Sequence, residues 1–255
     1  SSLPLKRAIL IPVLFAICIP LFSQTIGGVV NYYLEVDSVF NDTIRVTSDP
    51  SVNFSEGDFV ILVQITGATF IEGINHPRDL ADAIDQRRNC GKYEFLQIEN
   101  VITPDNYVVF TSYLLNDYNN GEKIQLVKVL TGDRLTVDMT VTADPWDGSK
   151  GGIVALMAFD ELILNANINV SGQGFRGAAP EDYYAGGCRF GIEVPGPVDD
   201  TCYFDTSQLN RAGNKGESVI TNSFILRKGA GNLINGGGGG NGLYSGGGGG
   251  SGYGY

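Results

Sequence analysis

The sequence predicts an all-β chain: a β-sandwich, then short β-solenoid-like coils, then a glycine-rich tail. Three observations predict it. From Gln24 to Thr142, short runs of β-favouring residues alternate with turn signals. After WDGSKGG (Trp146–Gly152) the runs become shorter and closer, with asparagine and glycine at the corners. From Gly229 to Tyr255, 15 of 27 residues are glycine, which leaves few side chains for a core. The boundaries that follow are 1–23 for a leader, 24–142 for the sandwich, 143–228 for the solenoid-like segment and 229–255 for the low-complexity segment.

The leader reads as an export signal. Lys6 and Arg7 precede the apolar run AILIPVLFAICIPLF (Ala8–Phe22), and the small Ser23 places cleavage before Gln24. The run is shorter than the roughly 20 residues of a membrane span. Pro12 and Pro20 argue against a buried helix. The expected product is exported, at the cell surface or beyond it, with no span left after signal removal.

The strand runs are VVNYYLEV (Val29–Val36), DFVILVQI (Asp58–Ile65), KYEFLQIENVI (Lys92–Ile102), YVVFTSYLL (Tyr107–Leu115), KIQLVKVL (Lys123–Leu130) and RLTVDMTV (Arg134–Val141). Several alternate apolar and polar residues, as a strand with one wet face does. The one helical pattern is PRDLADAIDQRR (Pro77–Arg88), with proline at a tolerated first-turn position. GGIVALMAF, ELILNA and NINVSG (Gly151–Gly172) suggest solenoid coils, with a hairpin extension of the sandwich as the alternative.

SGQGFRG (Ser171–Gly177) then reads as a corner. Gly174 and Gly177 serve the backbone, Phe175 caps the apolar column, and Arg176 bonds carbonyls exposed by the turn. Trp146 is expected to be buried where the two patterns meet. Gly148, Gly151 and Gly152 are structural candidates in the same stretch. The competing reading makes Trp146 and Phe175 an exposed platform for sugar stacking. In the tail, a flexible linker is the compositional default, and stacked polyglycine coils are the alternative. The chain starts without methionine and stops inside a glycine run, so a fragment of a longer protein is expected.

The formal net charge is −11, and since Lys6 and Arg7 lie in the leader, the remainder is more acidic still. Nucleic acid is therefore not expected as a partner. Cys188 and Cys202 bracket a Gly/Pro-rich loop and would pair in an oxidising compartment, a closure worth about 3 kcal/mol. Cys90 is left over as a small buried residue. No C-x-x-C spacing suggests structural zinc.

His76 is the one histidine and sits in a loop; no nucleophile elbow or phosphate loop accompanies it. The acid pairs Asp199–Asp200, Glu181–Asp182 and Asp144 with Asp147 lie in loops. Cleaving a glycosidic bond needs two carboxyls about 5 to 9.5 Å apart across a cleft, which spacing in a sequence does not supply. The chain is accordingly read as non-enzymatic, with no catalytic residue and no cofactor. The acids are of the type that binds calcium outside cells, but no D-x-[DN]-x-[DN]-G run marks a site.

One ordered set of segments carries a resemblance: QTIGGVVNYY, GDFVILVQITGA, CGKYEF, IQLVKV, TADPWDGSKGGIVAL, SGQGFRG, NKGES and the glycine runs. It resembles the amino-terminal region of the large glycine-rich surface adhesins of Bacteroidetes, the gliding-motility-associated proteins exported by the type IX secretion system. The W-[DN]-G-x-x-G-G and G-x-G-[FY]-R-G blocks are its most specific parts. The chain departs from that pattern at Ile65-Thr66 and Ala178. The resemblance implies an adhesin whose partners are the secretion machinery and an extracellular surface or polysaccharide. The alternative is a carbohydrate-binding or polysaccharide-cleaving solenoid module.

Overall fold

The computed structural model describes residues 23–70, 84–86, 89–178, 215–220 and 236–237. Every regular element of more than one turn among them is a strand, the one helical turn being 3-10 at Pro50–Val52. Among the described residues no helix is long and apolar enough to cross a membrane. The leader and the Cys188–Cys202 loop lie outside the described residues, as does His76.

Six antiparallel strands close a barrel: β2 (Tyr33–Val39), β3 (Thr43–Val46), β8 (Tyr107–Phe110), β7 (Tyr93–Ile102), β4 (Phe59–Gln64) and β9 (Ile124–Lys128), in that order around the wall. The sequence suggested a sandwich; the structure has a barrel because β2 pairs with β9. Tyr33 lies opposite Val127 and Val36 opposite Ile124, so the two ends of the sheet meet and no edge is left. Strand lengths and turn spacings suit both architectures. A pairing between segments so far apart in sequence is what separates them.

The barrel is filled by its own side chains, led by Ile44, Leu62, Ile98, Phe110, Ile124 and Leu126. β4 and β9 are apolar on both faces because a second layer covers their outer side. Phe59, Ile61, Val63 and Val127 point away from the interior and pack with Ile153, Ala155 and Met157.

That second layer is a parallel three-stranded sheet of β1 (Ser23–Val29), β10 (Leu130–Thr142) and β11 (Leu156–Leu164), with β10 central. Ile26 lies opposite Val137, and Val137 opposite Leu164. The isolated pair of Val141 with Ile168 extends this register. Ile26, Leu135, Val137 and Val141 form its apolar column. The barrel therefore does not simply precede the parallel part: it is inserted between that part's first and second strands. Two of the runs expected as separate strands, GGIVALMAF and ELILNA, contribute to the single strand β11.

The expected helix Pro77–Arg88 is corrected at its described residues. Ile84–Gln86 is a strand, β6, pairing with β5 (Thr69–Phe70); the rest of that segment lies outside the described residues. Helix periodicity there yields to a long-range partner, as short patterns often do. In the glycine-rich segment Gly237 accepts the Gly216 N–H at 2.9 Å. A Cβ on Gly236 would lie 2.8 Å from the Gly216 oxygen, so glycine is required where two backbones meet this closely.

Candidate functional site

WDGSKGG and the residues after it form the joint between barrel and parallel sheet. Gly151 to Ala155 is an extended segment outside any strand, and barrel side chains bind its backbone at every second residue. Gln125 donates through Nε2 to the Gly151 oxygen at 3.2 Å and accepts the Gly151 N–H at 2.8 Å. The Tyr33 hydroxyl donates to the Ile153 oxygen at 2.6 Å. Asn31 donates to the Ala155 oxygen at 2.7 Å and accepts the Ala155 N–H at 3.0 Å. A third Asn31 bond, to the Lys128 oxygen, closes the point where the chain passes from barrel to sheet. Asn31 and Gln125 are fully enclosed, and their amides do what a neighbouring strand would do. Burial, then the charge of Asp144, pushes the Tyr33 phenol up to about 12, so it stays a donor.

Trp146 is buried at this joint, 5% exposed. Its ring meets Phe175 edge-on, with centroids 5.6 Å apart, and its backbone N–H donates to the Gln173 backbone oxygen at 2.9 Å. This geometry does not offer the indole as a stacking surface. The indole Nε1 is enclosed without a hydrogen bond, as is Gln173 Oε1. Asp147 makes a tight turn, accepting the N–H groups of Ser149 and Lys150 and the Lys150 ammonium. Burial opposes its charge, but those partners hold its carboxyl far below the usual range. Gly151 and Gly152 have φ of +108° and +76°, and a Cβ on either would strike a carbonyl oxygen, of Pro145 and Gln173 respectively. At Gly148, φ +108°, a Cβ would collide with the Arg176 guanidinium.

Three expectations for SGQGFRG are corrected. Among the described residues the Arg176 side chain bonds no turn carbonyl; it lies over Gly148 and pairs with Glu217, while Arg176 N–H and O bond Glu217 in turn. Burial disfavours the Glu217 charge, but the hydrogen bonds and the charge of Arg176 hold its carboxyl down. Gly174 needs no special conformation, since a Cβ there would meet nothing within 4 Å. Phe175 packs on Trp146, apart from the apolar column of the sheet. Gly177 is exposed. Beside this cluster Lys215 is buried, and burial lowers its ammonium to about 7. Glu217 and Lys215 belong to NKGES, whose part in the joint its sequence did not declare.

The second feature lies on the barrel. Tyr93 and Phe95 on β7 are 60% and 55% exposed, with ring centroids 6.3 Å apart at 78°. The segment Thr111–Tyr118 is fastened alongside. Thr111 N–H donates to Gln97 O at 3.0 Å, Leu115 N–H to Glu94 Oε2 at 2.9 Å, and Asn116 N–H to Glu94 Oε1 at 3.2 Å. Glu94 is buried, and its two oxygens hold the loop that carries exposed Tyr113 and Leu115. Burial, then the Glu94 carboxylate, pushes the Tyr118 phenol well above its ordinary value. The signal was in KYEFLQIENVI: aromatics share a face with Gln97 and Glu99, and an acid shares one with Leu96 and Ile98.

No family model matches the sequence, and no curated protein does. Two solved structures are partly similar. One is the tailspike protein gp49 from Pseudomonas phage LKA1, with TM-score 0.26 and 19% identity over 47% of this chain. The other is the Gp54 tailspike of Acinetobacter baumannii bacteriophage AP22, in complex with A. baumannii capsular saccharide, with TM-score 0.28 and 14% identity over 54% of this chain. The match spans 22% of either tailspike.

Proposed function

We propose that the chain is a non-enzymatic, exported cell-surface adhesin module. In it the barrel presents a rigid aromatic surface to an extracellular polysaccharide, and the parallel sheet is the start of a solenoid that carries the barrel. The observation supporting this is the surface of Tyr93, Phe95, Tyr113 and Leu115, four large apolar side chains exposed on β7 and the segment fastened alongside it. A buried acid fixes the loop beneath two of them, which is a cost without benefit unless the surface is used. The resemblance to the amino-terminal region of surface adhesins agrees with this. So does Asp147, an acid weighed for catalysis, whose oxygens are committed to a turn.

A glycan array probed with the protein and with a Tyr93→Ala/Phe95→Ala double variant tests the reading. Both side chains are more than half exposed, so the double variant should still unfold cooperatively, losing about 2 kcal/mol with their contact and covered area, or roughly 4 to 8 °C. It should lose glycan binding. Equal binding by parent and variant would refute the assignment of the surface.

A further inference from the structure

We infer that the ligand of this aromatic surface is an uncharged polysaccharide chain, held by stacking and amide contacts without ion pairing. The inference rests on the adhesin reading above and narrows it to a substrate class. Three observations carry it.

The first is the charge around the rings. On the two segments that build the surface, Lys92–Glu99 and Thr111–Tyr118, Lys92 is the one base. The Glu94 carboxylate is turned inward onto Leu115 and Asn116. Glu99, on the same strand face as Tyr93 and Phe95, and Asp117 on the loop are both exposed. An incoming uronate, sulfate or phosphate would approach two exposed carboxylates and one ammonium on these segments, on a protein of net charge −11. No guanidinium on these segments offers the two-pronged contact that anionic polymers use.

The second is what the surface offers instead. Aromatic rings attract the C–H faces of a sugar ring through dispersion and quadrupole terms that require no charge. Gln97 and Asn116 supply amides on the same two segments; their nitrogens donate to Gly57 O at 3.1 Å and Tyr93 O at 3.3 Å, which orients the amide oxygens as acceptors for hydroxyls.

The third is size. The exposed parts of the four side chains amount to roughly 500 Å². A stable protein interface needs about 800 Å² from each partner. The patch is small for a folded protein and ample for two or three sugar rings. A second copy is further disfavoured by its like charge.

The test is affinity electrophoresis of the full chain through gels containing an uncharged glucan, a galactomannan, alginate as the polyuronate or chitosan as the cationic polymer. Binding to the retarding polymer is then measured by calorimetry at about 50 and about 500 mM salt, which changes the screening length severalfold. An uncharged glycan should retard the protein, with affinity constant within about twofold across that range. The Tyr93→Ala/Phe95→Ala variant should bind at least about tenfold more weakly, the loss of roughly 1.4 kcal/mol or more. Retardation by alginate or chitosan alone, falling with salt, would overturn the inference while leaving the adhesin reading intact. A concentration-dependent dimer in sedimentation, abolished by the same variant, would also overturn it. If none of the four polymers retards the protein and the array is blank, the adhesin reading falls and takes the inference with it.

Discussion

Replacing Trp146 by alanine should destabilise the protein by about 3 to 4 kcal/mol, and the structure supplies each part of that figure. Enclosing a tryptophan removes on the order of 200 Å² from water, worth about 5 kcal/mol at about 25 cal/mol per Å². Alanine retains a small fraction of that burial. Loss of the edge-on contact with Phe175 adds roughly 1 kcal/mol. Against this, the indole N–H is buried without a hydrogen bond, and deleting it relieves about 1 to 2 kcal/mol of desolvation. Phe175 is only half-buried and can settle into the space, which keeps the cavity cost low. Phenylalanine at position 146 keeps an aromatic edge and loses the unpaired N–H, so Trp146→Phe should cost no more than about 2 kcal/mol. Urea unfolding of parent and both variants, followed by far-ultraviolet dichroism, reads these differences from the midpoints. A cost below about 1 kcal/mol for alanine would refute the buried-joint account. Equal costs for phenylalanine and alanine would refute the argument from the unpaired N–H.

The glycines of the two motifs should respond oppositely. Gly151→Ala combines φ of +108° with a Cβ 2.6 Å from the Pro145 oxygen, and should cost about 2 kcal/mol or more, whereas Gly174→Ala, with open space around it, should fall within about 0.5 kcal/mol of the parent. Asn31→Ala removes both partners of the Ala155 backbone and one of Lys128, and should cost about 3 kcal/mol. Hydrogen exchange at the Ala155 amide should accelerate in that variant by at least about a hundredfold, and an unchanged rate would show that the joint does not depend on this side chain.

Much of the all-β character was legible in local pattern. DFVILVQI, KYEFLQIENVI, YVVFTSYLL and KIQLVKVL each contain the strand of the structure, because β-branched and aromatic runs between turn signals have few other uses. TIRV (Thr43–Val46) escaped notice: four residues carry too little pattern, and although one partner is the neighbouring β2, the other, β8, lies far along the chain. QTIGGV hid its role for a different reason. Its partner Arg134–Thr142 is separated from it by the whole barrel, so nothing nearby marks it as the first strand of the parallel sheet.

The candidate residues divide the same way. The sharp turn of WDGSKGG followed from residue type; for Trp146 the sequence left burial at the change of pattern and an exposed platform in competition, and the structure has it 5% exposed. Arg176 found its partner in Glu217, forty-one positions on, and no rule of spacing points there. The aromatic surface was visible as an inversion of polarity along β7, but only the fold shows that Glu94 faces inward and fastens the neighbouring loop.

Taken by itself, the sequence determined what is local: where most strands run, the glycine-dependent turn of WDGSKGG, and the acidity that disfavours anionic partners. Tertiary structure decided closure of the barrel, its insertion between β1 and β10, the docking of Gly151–Ala155 by Asn31, Tyr33 and Gln125, and the pairing of Arg176 with Glu217. The physical reason is that backbone propensity and side-chain alternation act over a few residues. Hydrogen bonds between distant segments depend on which surfaces are brought together when the whole chain removes its apolar groups from water.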